Sequence, residues 1–281
     1  MTSPSGIERT RGFRQQLEAL PEKWPLAFPT KPYDIRPLAA QYAINAASRV
    51  CQEREQVTPL EELKVRGVTV IPNAFSVKFL DKLRRKNKKR WKAFKASDVF
   101  AANVGRAKKR ASFKDSTVFF LAPGRYDLAL DHGVFTSDEF LRNEKIMSVI
   151  DAVFPFNGFM SYAGSLPSSP GSDAGEWHRD CSLFNDEVLE GKLPIYYITV
   201  LIPLTDIRAD GGPTEIMLGS HEGTMKGGSI TLLAEAGSAI ILDGRCLHRG
   251  LANTGSKTRH MLYIVYCRKW YGEHEDYEGV E

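Results

Sequence analysis

The sequence predicts a mainly β chain with flanking helices, its core a double-sheet jelly roll, a double-stranded β-helix of the cupin-like kind. From Ser116 onward, short apolar runs alternate with turn residues, and helical spacing is gathered ahead of them. A chain of 281 residues with 42% hydrophobic content can bury a full core, and single domains of that size are common among β-rich barrels and sandwiches. Eight strand candidates with helices at the front make two packed sheets with a helical layer outside.

Taken in order, residues 1 to about 33 are polar and punctuated by Pro4, Pro21, Pro25, Pro29 and Pro32, so they are expected to wrap the surface or stay mobile. Leu38, Tyr42, Ile44, Ala46 and Val50 have roughly helical spacing and predict a helix over Pro37–Gln56. Residues 1–60 are expected to form a partly helical extension packing on a domain of residues 61–281. Gly67-Val68-Thr69-Val70-Ile71-Pro72 reads as a strand stopped by proline.

Asn73 to Trp91 again has helical spacing, with Phe75, Phe79, Leu80 and Leu83 on one side. Lys82, Arg84, Arg85, Lys86, Lys88, Lys89 and Arg90 crowd the rest, and Arg106, Lys108, Lys109, Arg110 and Lys114 follow. Few aromatic residues are interleaved for base stacking, so these read as a solvated helix face and a basic loop rather than a patch for nucleic acid, a phosphorylated substrate or a coenzyme A thioester. The net charge of +4 is too mild to argue for nucleic acid.

The strand candidates are Ser116–Ala122, Gly158–Ala163, Glu176–Cys181, Ile195–Pro203, Thr214–Leu218, Ser229–Leu233, Ser238–Leu242 and Met261–Cys267. Gly164 to Gly175, rich in glycine and serine, is expected to be a loop ahead of the Glu176–Cys181 strand. Cys51, Cys181, Cys246 and Cys267 lie far apart, with no zinc-ribbon spacing, and read as reduced thiols. With no apolar leader at Met1–Ser5 and no membrane-spanning run, an intracellular, cytoplasmic protein is expected. Nothing in the sequence sets the oligomeric state.

The chemistry centres on Glu176-Trp177-His178-Arg179-Asp180. In an extended segment His178 and Asp180 point to one side, and one more imidazole would complete the two-His, one-carboxylate set that holds non-heme Fe(II). Asp243-Gly244-Arg245-Cys246-Leu247-His248 places a histidine just past an apolar strand, where a third ligand reaches a barrel mouth. Arg259 opens the last strand on the face of Met261, Tyr263 and Val265; facing inward it needs an anion, which a dicarboxylate co-substrate supplies. Tyr197 and Thr199 share an inner face with Leu201, where core packing is the expected role.

Gly211-Gly212-Pro213-Thr214-Glu215-Ile216-Met217-Leu218-Gly219-Ser220-His221 resembles the Gly-x-Thr-Glu…Gly-Ser-His segment of the phytanoyl-CoA dioxygenase (PhyH-like) family of Fe(II)/2-oxoglutarate oxygenases. His248…Asn253-Thr254-Gly255-Ser256…Arg259 is similar to that family's last-ligand and co-substrate segment, and Leu63 to Leu83 to its opening strand and helix. The likeness spans about residues 60 to 270. It implies His178, Asp180 and His248 as iron ligands and catalytic centre, Arg259 as the 2-oxoglutarate anchor, and Thr214 as a second contact to that co-substrate, with O2 as oxidant. His221 matches a histidine that is structural in the family. Leu201 stands where some members carry an aromatic residue and Glu176 where some carry glutamine, so the fine shape of the pocket is open.

The resemblance further implies oxidation of a C–H bond of a small-molecule substrate with release of succinate and CO2. Related halogenases have a small residue where this chain has Asp180, so hydroxylation, desaturation or ring formation is favoured over halogenation. Two rivals stay open: a nucleic-acid demethylase of the same cofactor class, for which Arg268 would be the further arginine, and a non-catalytic jelly-roll binding protein.

Overall fold

The computed structural model describes residues 57–155, 159–184, 186–223 and 227–271, all within the unit Gln56–Glu281. The expected helix over Pro37–Gln56 lies outside them. Helix α1 (Pro59–Arg66) starts on a capping box: Glu61 N donates to Thr58 Oγ1 at 3.3 Å while Thr58 N donates to the Glu61 carboxylate at 2.8 Å. It ends at Gly67, whose φ of +77° suits glycine. A Cβ there would lie 2.2 Å from Cys246 Sγ and 2.6 Å from His221 Nδ1, so only a bare α-carbon lets α1 turn into strand β1 (Val68–Ile71) so close to the 246 loop.

Helices α2 (Val77–Lys95), α3 (Asp98–Asn103), α4 (Asp138–Leu141) and α5 (Glu144–Val153) precede most of the strands, and α6 (Glu187–Glu190) is a single turn between them. The expected Asn73–Trp91 helix begins at Val77, where Ser76 Oγ caps Phe79 N, and runs on to Lys95. Its apolar face buries Phe79, Leu80, Leu83, Trp91 and Phe94.

Strands β2 (Lys109–Phe113), β3 (Ser116–Ala122), β4 (Arg125–Ala129), β5 (Phe159–Ser168), β6 (Tyr197–Pro203), β9 (Ala239–Asp243) and β11 (Arg259–Arg268) join β1 in an eight-stranded sheet ordered β1-β9-β6-β11-β5-β4-β3-β2. Strands β7 (Thr214–Met217), β8 (Ser229–Leu232) and β10 (His248–Gly250) form a second sheet ordered β10-β7-β8. All the pairings are antiparallel.

The layering follows from which strands are apolar on both sides. β6 and β9 are buried at every position, as strands covered on both faces should be. Ile198, Val200, Ile202 and Ile264 turn to the helices, against Leu63, Phe79, Leu83, Ile146 and Ile150. Leu201, Ile240, Leu242, Met261 and Val265 turn the other way, against Ile216 and Leu232 of the small sheet. Each such side chain contributes about 1.5–3 kcal/mol of burial. This is the double-sheet jelly roll with outer helices that the alternating runs predict.

Three expectations change. Glu176–Cys181 is not a strand but a loop with one isolated bridge, His178 to His248, because Asp180 N and Cys181 N turn to donate to Gly244 O instead of continuing a ladder. Gly164–Gly175 is not all loop: strand β5 runs on to Ser168, paired with β4 and β11, and only the residues beyond Ser168 are irregular. Strands β2, β4 and β10 are not expected from the sequence pattern; β2 and β4 are short and carry charge, and β10 has three residues.

Candidate metal centre and active site

The bridge between the two loops sets the site. His178 N donates to His248 O and His248 N to His178 O, each at 2.9 Å, so the two imidazoles are thrown together with ring centroids 4.4 Å apart. His178 Nδ1 lies 2.9 Å from Glu176 O and His248 Nδ1 lies 3.0 Å from Cys246 O. A carbonyl can only accept, so both Nδ1 atoms carry a proton, and it is Nε2 that each ring, when neutral, presents as its lone-pair atom.

Asp180 faces those lone pairs. Its Oδ1 is 3.8 Å from His178 Nε2 and 3.5 Å from His248 Nε2, while its Oδ2 accepts from Thr199 Oγ1 at 2.5 Å. Burial holds the His248 imidazole below its usual pKa, with the His178 ring adding to the effect against the pull of Asp180, so His248 is neutral. One potential ligand atom from each of the three side chains thus converges, all within 4.8 Å of one another. Such a set calls for a cation. His178 is the open side of the group at 53% side-chain exposure, against 20% for Asp180 and 10% for His248.

A buried polar frame fixes the loops that bring these side chains in. Arg245 Nε and Nη2 hold both oxygens of Asp243 at 3.0 and 2.7 Å, and its Nη1 donates to Glu190 O and Leu193 O. The Glu190 carboxylate in turn accepts from Leu183 N, Phe184 N and the Tyr196 hydroxyl, which ties down the chain just past Asp180. His221 is buried and donates from Nε2 to Lys64 O, in keeping with a structural part.

Arg259 is buried and opens β11 on the inner face, as its spacing predicts. Its Nη1 donates to Leu166 O at 3.2 Å, but its Nε is buried without a partner, and it forms no ion pair among the described residues. Burial, with Arg125 adding repulsion, pushes its pKa down to about 10. The guanidinium is thus buried with no counter-charge among the described residues, an arrangement whose cost an anion would offset. Arg125, which no sequence pattern singles out, is spent on loop carbonyls: Asp173 O at 2.7 Å, Gly250 O at 3.1 Å, and Leu251 O. Thr214 is buried on β7 opposite Gly250, two register pairs along from the Ile216–His248 pair.

Thr199, expected from sequence to be core packing, holds Asp180. Tyr197 bonds the Tyr162 hydroxyl at 2.8 Å. Asp127 on β4 accepts the Tyr263 hydroxyl at 3.1 Å on both oxygens, and burial pushes its pKa up to about 7, with the Asp180 charge reinforcing and the Tyr263 bond opposing. Tyr263 reaches it across Gly164, where a Cβ would lie 2.3 Å from the Tyr263 ring. The signal available in the sequence was the alternation Arg125-Tyr126-Asp127-Leu128, polar in and apolar out. Arg268 donates to Ile195 O and Val153 O and lies over the Phe154 ring.

The profile of the phytanoyl-CoA dioxygenase (PhyH) family matches residues 63–261, well over half of the chain. The chain belongs to the phytanoyl-CoA dioxygenase family. Among curated relatives of this family member are the iron/alpha-ketoglutarate-dependent dioxygenases penM of Penicillium thymicola, 28% identical over 138 residues, and ausU of Aspergillus calidoustus, 29% identical over 145 residues. The matches take in 46% and 47% of this chain and 44% and 48% of theirs, so the chain matches about half the length of these relatives.

Solved structures share the fold of this PhyH chain. HygX of Streptomyces hygroscopicus, with nickel, 2-oxoglutarate and hygromycin B bound, superposes with a TM-score of 0.55 at 14% identity over 76% of this chain and 89% of its own. AviO1 of Streptomyces viridochromogenes gives 0.55 at 15% identity over 75% and 94%. No helix among the described residues is long and apolar enough to cross a membrane.

Proposed function

We propose that the protein is an Fe(II)- and 2-oxoglutarate-dependent dioxygenase that oxidises a C–H bond of a small-molecule substrate, releasing succinate and CO2. The observation that carries this is the convergence of His178 Nε2, His248 Nε2 and Asp180 Oδ1, with each imidazole's Nδ1 turned to a backbone carbonyl. In this reading those residues hold the iron and Arg259 takes the distal carboxylate of 2-oxoglutarate, its orphaned Nε gaining an acceptor. Thr214, buried on β7 beside the strand of His248, is assigned the second contact to the co-substrate. Membership of the family and the dioxygenase relatives support the assignment.

The bound iron and co-substrate would supply the oxidising chemistry with O2. The chain's own work is positional. Glu176 O and Cys246 O fix the histidine tautomers, Thr199 turns Asp180, and the neutral His248 keeps its lone pair available at neutral pH. The open flank at His178 leaves room for a substrate to approach. The test is iron-dependent conversion of 2-oxoglutarate to succinate by the wild type and by His178→Ala. Loss of both iron retention and succinate in the variant is expected, and undiminished turnover rules the assignment out.

A further inference from the structure

We propose that a cavity between α2 and the β2–β3 turn binds a phosphate monoester, its anionic group held by Lys86, Lys89, Arg90 and Lys114 and its apolar part set against Phe113 and Phe135. The site is separate from the oxygenase centre and does not depend on it: neither α2 nor the turn contributes a residue to the metal group.

Lys86, Lys89, Arg90 and Ala93 stand at helical spacings of three and four, so they form one stripe of α2. That stripe walls a cavity of about 220 Å³, and Phe113, Lys114 and Phe135 are among its other walls. Lys114 enters from the two-residue turn of the β2–β3 hairpin, where Phe113 pairs with Ser116. Lys114 and Asp115 have φ of +51° and +64°, a left-handed conformation that asparagine and glycine take more readily in such a turn. The lysine so placed has its Nζ 5.5 Å from the Phe113 ring centroid, and the Arg90 guanidinium carbon lies 6.0 Å from the same centroid. Two basic stretches that read from the sequence as solvated thus meet across one cavity.

These cations have no counter-charge of their own. Asp81 is the single acid of α2, and it pairs with Arg84. Among the described residues none of Lys86, Lys89, Arg90 and Lys114 forms an ion pair. Asp131, the one acid in the cavity wall, spends Oδ1 on the Ser116 hydroxyl at 2.7 Å and on His132. Arg90 is the least satisfied of the four. Its Nη2 donates to Ala129 O at 2.8 Å, its Nε is buried without a partner, and its Nη1 makes no bond among the described residues. Burial pushes its pKa down, against the pull of Asp131.

Like charges three and four apart on a helix repel, so an anion seated among them relieves the stripe as well as filling the cavity. Four cations against one engaged acid suit the double charge and several acceptor oxygens of a phosphate better than a single carboxylate. Phe113, Phe135 and Ala93 give the cavity apolar walls, which favour an organic phosphate over the bare ion. The enclosed volume takes one such group with a short apolar part, and not a strand of nucleic acid.

The test is isothermal titration of the full-length protein with phenyl phosphate, inorganic phosphate and benzoate. At about pH 7.5 a phosphomonoester carries close to two charges, and at roughly 0.15 M salt diffuse attraction is screened beyond about 8 Å. Phenyl phosphate is expected to bind with one equivalent, inorganic phosphate more weakly and benzoate least, and excess 2-oxoglutarate should not displace the phenyl phosphate. Lys86→Ala/Lys89→Ala removes two charge-assisted donors and should weaken phenyl phosphate at least about tenfold. Lys88→Ala/Lys92→Ala removes the same charge from α2 outside the cavity and should leave binding within about twofold of wild type. All four lysines are exposed, so both double variants keep the core intact. No binding of phenyl phosphate, equal losses in the two double variants, or benzoate or inorganic phosphate binding as tightly overturns the proposal. Displacement by 2-oxoglutarate, which would put the phosphate at Arg259, overturns it too, as does a single-stranded oligonucleotide that binds more tightly and competes.

Discussion

Thr199→Val should weaken metal binding by about one to two orders of magnitude. Thr199 is buried, and its hydroxyl is the donor to Asp180 Oδ2, at 2.5 Å. Valine keeps the shape and removes the donor, so Asp180 loses the bond that turns Oδ1 toward the two Nε2 atoms. A hydrogen bond to a charged acceptor is worth roughly 1.5–3 kcal/mol, and about 1.4 kcal/mol is tenfold in affinity, which gives about a 10- to 100-fold loss. Outer-shell partners of metal ligands lose affinity on that scale when removed. Isothermal titration with Co(II) or Ni(II) reads the change, and Thr199→Ser, which retains the hydroxyl, should stay near the wild type. Equal affinities for valine and wild type would refute the role given to Thr199, and a serine variant as weak as valine would show that packing is what matters.

Two further outcomes rest on buried contacts away from the metal. Gly164→Ala puts a methyl carbon 2.3–2.4 Å from the Tyr263 ring, so the ring must leave Asp127; overpacking of this kind costs about 1–3 kcal/mol, and an unchanged melting temperature would mean the ring does not lie across Gly164. His260 takes the Asn87 amide at 3.2 Å, and its pKa is pushed down to about 4 by burial first, then by Arg259 and Lys95. Its folded value lies below the unfolded one, so the stability due to the neutral ring is whole above about pH 6.5 and is lost as pH falls toward 4, on the order of 3 kcal/mol at the limit. Urea midpoints for His260→Gln should therefore fall less than the wild type's between those pH values; parallel curves would contradict the assignment.

What could be read from the sequence depended on how much of the signal was local. β6, β9 and β11 are long apolar runs because they are covered on both faces, and α2 shows its buried stripe at helical spacing. β2 and β4 are edgeward, half-open strands whose charged residues disguise them, and the His178 loop borrows a single bridge from a segment seventy residues on, which no local pattern reports. At the site, His178, Asp180 and His248 meet as their spacing and the family likeness imply, and Arg259 is buried on the expected face. Thr199 was visible only as one of an inward set, because its bond to Asp180 depends on how a loop closes over β6. The Asp127–Tyr263 contact was hidden for a similar reason: it joins β4 to β11 over the top of Gly164.

The central claim is that one metal group and one buried guanidinium together receive a keto-diacid, and 2-oxoglutarate titration into the Ni(II)-loaded protein tests it most directly. The account predicts one equivalent bound, no binding to the metal-free protein, and a loss of at least a hundredfold in Arg259→Met at undiminished Ni(II) affinity. Binding that persists without metal, or that Arg259→Met leaves intact, would contradict it.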